Sequence, residues 1–161
     1  MNVRRMKVKG GLADEERLDL EEIKSMVARN RAHLGDQLKE RGRVGAAVIE
    51  YRRALTENPN SVPILNKLSS VLIVMDREKE AVELLVRARD LSPDHPTAYA
   101  YLGKIYLKQK EFKSAIESFE DSIQINPFNP DVHLGLAEAY ETTGDKRNGQ
   151  KEREIVKRLT H

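Results

Sequence analysis

Prolines at Pro59, Pro93 and Pro127 stand 34 residues apart, and alanines at Ala47, Ala81 and Ala115 keep the same step. A fixed period of this length means that one supersecondary unit is copied and stacked, each copy burying its apolar face against its neighbours. The ruler extends in both directions. From Leu34 it reaches Leu68, Leu102 and Leu136, each followed by a small residue: Gly35, Ser69, Gly103 and Ala137. Four positions beyond each leucine stand Leu38, Leu72, Tyr106 and Tyr140, one helical turn further along the same face. Downstream it gives Ala47, Ala81, Ala115 and Gly149, then Tyr51, Leu85, Phe119 and Arg153, then Ala54, Ala88, Ser122 and Val156, so the last copy fades.

Each unit therefore reads as two amphipathic helices packed through small residues, which let the backbones approach while Leu, Tyr and Phe fill the space alongside. Turn residues separate the two helices at Arg41-Gly42-Arg43, Met75-Asp76-Arg77, Lys110-Glu111 and Gly144-Asp145. The proline closing each unit disfavours helix in the residue before it and ends the second helix. Asn58-Pro59-Asn60-Ser61, Ser92-Pro93-Asp94 and Asn126-Pro127-Phe128-Asn129 supply the turn chemistry.

This pattern resembles the tetratricopeptide repeat, whose 34 residues run aromatic, Leu-Gly, Tyr, Ala, aromatic, Ala and Pro. The third copy carries Tyr99, Leu102, Gly103, Tyr106, Ala115, Phe119, Ser122 and Pro127, departing only at Ser122. The second has Leu65 and Leu85 at the aromatic positions, and the first has Arg31 at the first of them. The resemblance covers roughly 28–161 and implies an all-α fold, a right-handed superhelical solenoid of stacked antiparallel helix pairs. Repeats are expected at about 28–61, 62–95, 96–129 and 130–161.

Before the repeats, Asp19-Leu20-Glu21-Glu22 reads as a capping-box start, followed by Ile23, Val27, Leu34 and Leu38 at helical spacing. One helix is expected from about Leu20 to Glu40, its extra turns capping the open N-terminal face of a 19–161 array. Residues 1–18 are expected to form a basic arm and linker, with Arg4, Arg5, Lys7 and Lys9 as a solvated run and Gly10-Gly11 as a joint. In the fourth unit the second helix is rich in mixed charge, which suits a C-terminal cap with i,i+4 pairs.

Composition narrows the function classes. Aromatics are 5% and charged residues 34%, thin for one compact core but adequate for stacked helix pairs. Without cysteine there is neither a disulfide framework nor a thiolate zinc site. No stretch approaches the ~20 apolar residues of a membrane span, and no secretory signal is legible, so a cytoplasmic protein is expected. His33, His95, His133 and His161 lack metal spacing, no phosphate-binding glycine motif occurs, and the paired carboxylates lie on solvated helix starts. No enzyme activity, catalytic residue, metal or cofactor is expected. Nucleic acid is disfavoured as a partner, because 28 basic against 26 acidic residues leave only +2.

Function is then expected to lie in shape. The resemblance implies a concave groove lined by the first helix of each pair, holding a peptide or helix of a partner protein. The candidate groove residues are His33 and Asp36 in the first copy, then Asn66, Lys67 and Ser70, then Tyr101, Lys104 and Lys108, and Glu138 in the fourth. Two known ligand modes of the family do not fit. Ala32, Asp36, Lys67, Thr97 and Tyr101 occupy the carboxylate-clamp positions, and His33, Lys67, Tyr101 and Gly135 those of the asparagine ladder. A non-catalytic interaction module or scaffold is the leading expectation. The alternative is a docking or regulatory segment of a larger enzyme, and an imperfectly capped end leaves room for self-association.

Overall fold

The computed structural model describes residues 12–160, with side chains from Asp19 onward. The basic run at Arg4–Lys9, the Gly10-Gly11 joint and His161 lie outside the described residues. Among the described residues the chain is all helix: α1 (Leu12–Glu40), α2 (Val44–Glu57), α3 (Val62–Val74), α4 (Glu78–Leu91), α5 (Pro96–Lys108), α6 (Phe112–Ile125), α7 (Pro130–Thr142) and α8 (Lys146–Thr160). They pair as α1/α2, α3/α4, α5/α6 and α7/α8. Two compact units result, one ending at Pro59 and containing α1 and α2, the other running from Asn60 and containing α3 to α8.

The prolines work as their spacing predicts. Helices α2, α4 and α6 end two residues before Pro59, Pro93 and Pro127, and the preceding residues Asn58, Ser92 and Asn126 are driven out of the helical region, with φ of −133°, −147° and −135°. A second set, Pro63, Pro96 and Pro130, stands in the first turn of α3, α5 and α7, where no intrahelical N–H bond is lost.

The turns inside the pairs share one backbone device. Gly42, Asp76, Lys110 and Gly144, again 34 apart, all have positive φ, at 72°, 55°, 62° and 92°. In each copy the next residue donates its N–H to the carbonyl five back: Arg43 to Leu38, Arg77 to Leu72, Glu111 to Tyr106 and Asp145 to Tyr140, at 2.8–2.9 Å. This Schellman closure satisfies carbonyls that the helix end would leave bare. Two of the four positions are not glycine and carry the strain of a Cβ in left-handed backbone.

Packing inside the pairs follows a size rule. The ring of Phe119 on α6 lies so close to α5 that a Cβ on Gly103 would stand 2.6 Å from it, and a Cβ on Gly135 of α7 would meet the same ring at 2.6 Å. Tyr51 imposes the same restriction on Gly35 in the first unit. Where the second helix carries Leu85 instead of a ring, Ser69 is accommodated, fully buried with its hydroxyl donating to Leu65 O at 2.8 Å. Phe119, Ala115, Val132 and Leu136 form a core cluster spanning the last two pairs, with Tyr106, Ile116 and Tyr140 against it.

Two features depart from the sequence expectation, and a third shows how the fading last copy is closed. Helix α1 begins at Leu12, ahead of Leu20, so residues 12–18 are helix and Asp19 is interior to it. The stretch from Ala13 to Glu22 holds no proline or glycine, and its carboxylates favour a helix N-terminal half, which outweighs the local capping signal. Next, α1 does not present a polar outer cap: Leu20, Ile23, Met26 and Leu34 are 50%, 51%, 50% and 44% exposed. Leu34 is thus a surface residue in this copy, whereas its equivalent Leu136 is buried by Ala115 and Phe119 of the preceding pair. Finally, Arg153 replaces the large apolar residue of the other copies with a bidentate pair to Glu141, at 2.6 and 2.7 Å. Gly149 beneath it is buried, since a Cβ there would meet Glu141 and the Ala137 carbonyl.

Both the turn device and the size rule can be tested through stability. Relief of the left-handed strain makes Lys110→Gly more stable by about 0.5–1 kcal/mol, whereas Gly144→Ala loses about 1 kcal/mol, read as shifts in the urea midpoint at unchanged m. Gly103→Ser alone costs about 1–3 kcal/mol by overpacking against Phe119. Combined with Phe119→Leu, which recreates the Ser69/Leu85 pairing, it shows a favourable coupling energy of about 0.5 kcal/mol or more in a double-mutant cycle. Strict additivity would contradict the size rule.

Candidate partner-binding surface

The candidate residues fall in both units. In the first, His33 and Asp36 lie on α1 beside a shallow depression also lined by Gln37, Lys39 and Glu40. Asp36 is turned to the interior of its pair, accepting the Tyr51 hydroxyl at 2.8 Å. Burial and this carboxylate push the Tyr51 phenol well above the ordinary tyrosine range, so it stays a neutral donor. His33 faces the Gln37 side chain at 3.1 Å one turn away.

In the second unit α3 lies beside α5 and α5 beside α7, so the first helices of successive pairs form a continuous row. Lys67 and Ser70 are half-buried on α3, with the Ser70 hydroxyl donating to the Lys67 carbonyl at 2.8 Å. Tyr101 is half-buried on α5, whereas Lys104 and Lys108 on the same helix and Glu138 on α7 are exposed. Asn66 differs from the rest: it is buried, and its side-chain carbonyl has no hydrogen-bond partner. The row also carries two exposed apolar residues at groove positions of the register, Val74 at 70% exposure and Leu134 at 44%. Their positions follow from the same 34-residue register, but an isolated exposed aliphatic carries no signal of its own.

The lysines of the middle helix are tied to their neighbours. Lys108 pairs with Asp76 at 2.7 Å and with Glu78 at the start of α4, and Lys104 approaches Asp131 of α7 at 3.8 Å. Hydrogen bonding to the Lys108 ammonium, with its charge, holds the Asp76 carboxyl below the usual carboxylate range, and the same bonds raise the Lys108 ammonium. The turn residue Asp76 therefore links the second pair to the third.

The last pair has its own fastening. His133 on α7 is buried with Nδ1 facing Glu152 of α8 at 2.6 Å and Nε2 facing the Pro127 carbonyl at 2.9 Å. Tyr140 donates to Glu120 of α6, and burial with that hydrogen bond pushes its phenol above the ordinary range. His133 thus fastens α8 and the turn at Pro127 to α7. Among the described residues there is no group of three or more His, Asp or Glu able to hold a metal, and no helix long and apolar enough to cross a membrane.

Known proteins place this architecture. A TPR repeat model matches residues 103–144 and a tetratricopeptide repeat model residues 75–117. The chain is 29% identical over 94 residues to the TPR repeat protein oca3 of Schizosaccharomyces pombe, covering 58% of this chain and 33% of that protein. It is 32% identical over 91 residues to the type IV pilus assembly protein PilF of Pseudomonas aeruginosa, covering 55% and 36%. The chain thus spans about a third of the length of these relatives. Among solved structures, MamA of Desulfovibrio magneticus RS-1 superposes with a TM-score of 0.74 at 20% identity, covering 83% of this chain and 75% of that one. A thermophilic TPR protein of Thermus thermophilus gives 0.72 at 23%, covering 82% and 74%. Repeat spacing, paired helices, family models and structural neighbours agree, and the fold is in general that of a protein–protein interaction module: the chain carries tetratricopeptide repeats, matched by family models over residues 75–144.

Proposed function

We propose that this protein is a non-catalytic scaffold whose row of first helices in the second unit, α3, α5 and α7, receives an extended segment or helix of a partner protein. The observation that carries this reading is the register: Lys67 and Tyr101, Val74 and Lys108, and Ser70, Lys104 and Glu138 keep the 34-residue step on three adjacent helices, with Leu134 one helical turn before Glu138. Val74 and Leu134 supply apolar anchors on the outer helices of the row, and Tyr101 supplies area with a hydrogen-bonding tip between them. The pairs of Lys104 with Asp131 and of Lys108 with Asp76 are exposed, and exposed pairs are weak enough for a carboxylate on the ligand to take over a lysine. A partner segment with aliphatic side chains flanking an acidic or polar stretch therefore suits the face. His33 and Asp36 belong to the first unit, and Asp36 is engaged with Tyr51, so the second unit is the better-supported receptor.

Affinity purification with Lys67→Glu/Lys104→Glu as the comparison tests the assignment. Recovery of the specific partners is expected to fall at least tenfold in the double variant, about 1.4 kcal/mol of binding, and equal recovery would place the interaction elsewhere. The lysine chemistry has a separate check. The Asp76 carboxyl, followed by NMR, is expected to titrate below the ordinary aspartate value of about 3.9 and to return towards it in Lys108→Gln. Because its folded value is lowered, the contribution of Asp76 to stability is present above its unfolded pKa. It is lost as pH falls through the lowered folded value, so the link between the second and third pairs weakens in acid.

A further inference from the structure

Helix α1 is 29 residues long and its partner α2 only 14, so at 1.5 Å per residue the N-terminal half of α1 runs beyond the reach of α2. Its face towards α2 is made of small residues, with Ala28, Ala32 and Gly35 buried. On the far side a second stripe runs through Leu20, Ile23, Val27, Asn30 and Leu34, spaced 3, 4, 3 and 4 residues apart. Leu20, Ile23, Asn30 and Leu34 are exposed and Val27 is half-buried. That is the a/d alternation of a coiled-coil seam, on a helix whose other face is occupied by α2 from about Ala28 onward.

We propose that this stripe is the contact surface of a parallel, in-register homodimer in which two copies of α1 pack through Leu20, Ile23, Val27 and Leu34. Three features favour a second copy over an unrelated helix. The seam is self-complementary, because the aliphatic a positions Leu20, Val27 and Leu34 meet their own counterparts. Asn30, at a d position, meets Asn30 of the other copy only in the parallel, in-register arrangement, where the two amides can hydrogen-bond. The flanks also match: with Leu20 at a, Asp19 is at g and Lys24 at e, so each Asp19 lies opposite the other copy's Lys24 in the parallel arrangement. The antiparallel arrangement instead brings the e-position cations Lys24 and Arg31 together. Lys24 pairs within its own helix to Glu21 at 3.2 Å, an exposed contact that yields at little cost. Arg31 bonds Glu50 of α2 at 3.3 Å and stays on its own side of the seam. The seam covers only two heptads, short of the ~800 Å² per partner of a standard interface, so the dimer forms reversibly with concentration. It is independent of whether the α3–α5–α7 row binds a partner.

Sedimentation equilibrium of the full chain over about 5–500 μM, a range bracketing weak association, is expected to show the mass rising from 18.4 kDa towards twice that value. Ile23→Glu/Leu34→Glu changes two exposed residues and leaves helicity intact. It is expected to weaken association at least tenfold. The chain has no cysteine, so single substitutions report the register. Leu20→Cys and Leu34→Cys are each expected to give disulfide-linked dimers on oxidation, because same-site Cα atoms in a parallel seam fall within the ~4.4–6.8 Å that a disulfide spans. Glu22→Cys, off the seam, is expected to give no disulfide-linked dimer. A mass that stays at 18.4 kDa throughout, a dimer unaffected by the double variant, or cross-linking confined to Val27→Cys as an antiparallel seam would give, overturns the proposal.

Discussion

The close seating of one aromatic ring governs the architecture of the second unit. Phe119 has no exposed surface and lies between two glycines, Gly103 of its own pair and Gly135 of the next. A helix pair can stack on another only if apolar volume and backbone separation agree, and here one ring sets both separations. Leu136, Val132 and Ala115 then close around the ring. Where the ring is replaced by Leu85, a serine is tolerated opposite it, and where it is replaced by Arg153, an alanine and an ion pair take over. The small residues and the large ones are therefore a matched set, and a change in one is a demand on the other.

Most of this framework is legible in the sequence because it is periodic. The prolines fix where second helices stop, and the positions of Ala, Gly and the aromatics fix which faces meet. What periodicity does not convey is the environment at the first helix. Leu34 occupies the register position of a packing leucine, yet burial depends on a helix pair lying against it, and a register cannot report whether that pair is present. The start of α1 is obscured for a different reason: Asp19 and Glu22 form a valid capping signal, but a signal competes with the propensity of the residues before it, and Ala13 to Leu18 are compatible with continuing helix. The heptad through Leu20, Ile23, Val27 and Leu34 is present in the sequence too, where the longer 34-residue period masks it.

The candidate site is legible only as positions. The register selects Lys67, Tyr101, Lys104 and Lys108 as members of one face, but it does not disclose that Lys108 is held by Asp76 and Glu78 or that Lys104 leans towards Asp131. Asp76 and Glu78 come from a turn and a helix start outside the first helices, and Asp131 from the first turn of α7, ahead of its face positions. Their effect is to convert an apparently basic strip into a set of exchangeable pairs, which favours recognition by competition for each lysine over attraction to a bare positive field. The register also groups Asn66 with the exposed residues, whereas its side chain is buried, because helical spacing gives direction but not the depth of the surrounding surface.

The left-handed residues at Gly42, Asp76, Lys110 and Gly144 have a consequence for how such a chain can change length. Each turn is closed by the same pair of backbone bonds, so the helix that follows leaves at a fixed rotation. Adding or deleting one residue inside a helix rotates everything beyond it by about 100°, carrying alanines out of the interface and charges into it. Gain or loss of a complete 34-residue copy leaves every rotation as it was. Growth of this protein over evolutionary time is thereby quantised, with point substitution altering what a surface recognises and whole-unit duplication altering how much surface there is.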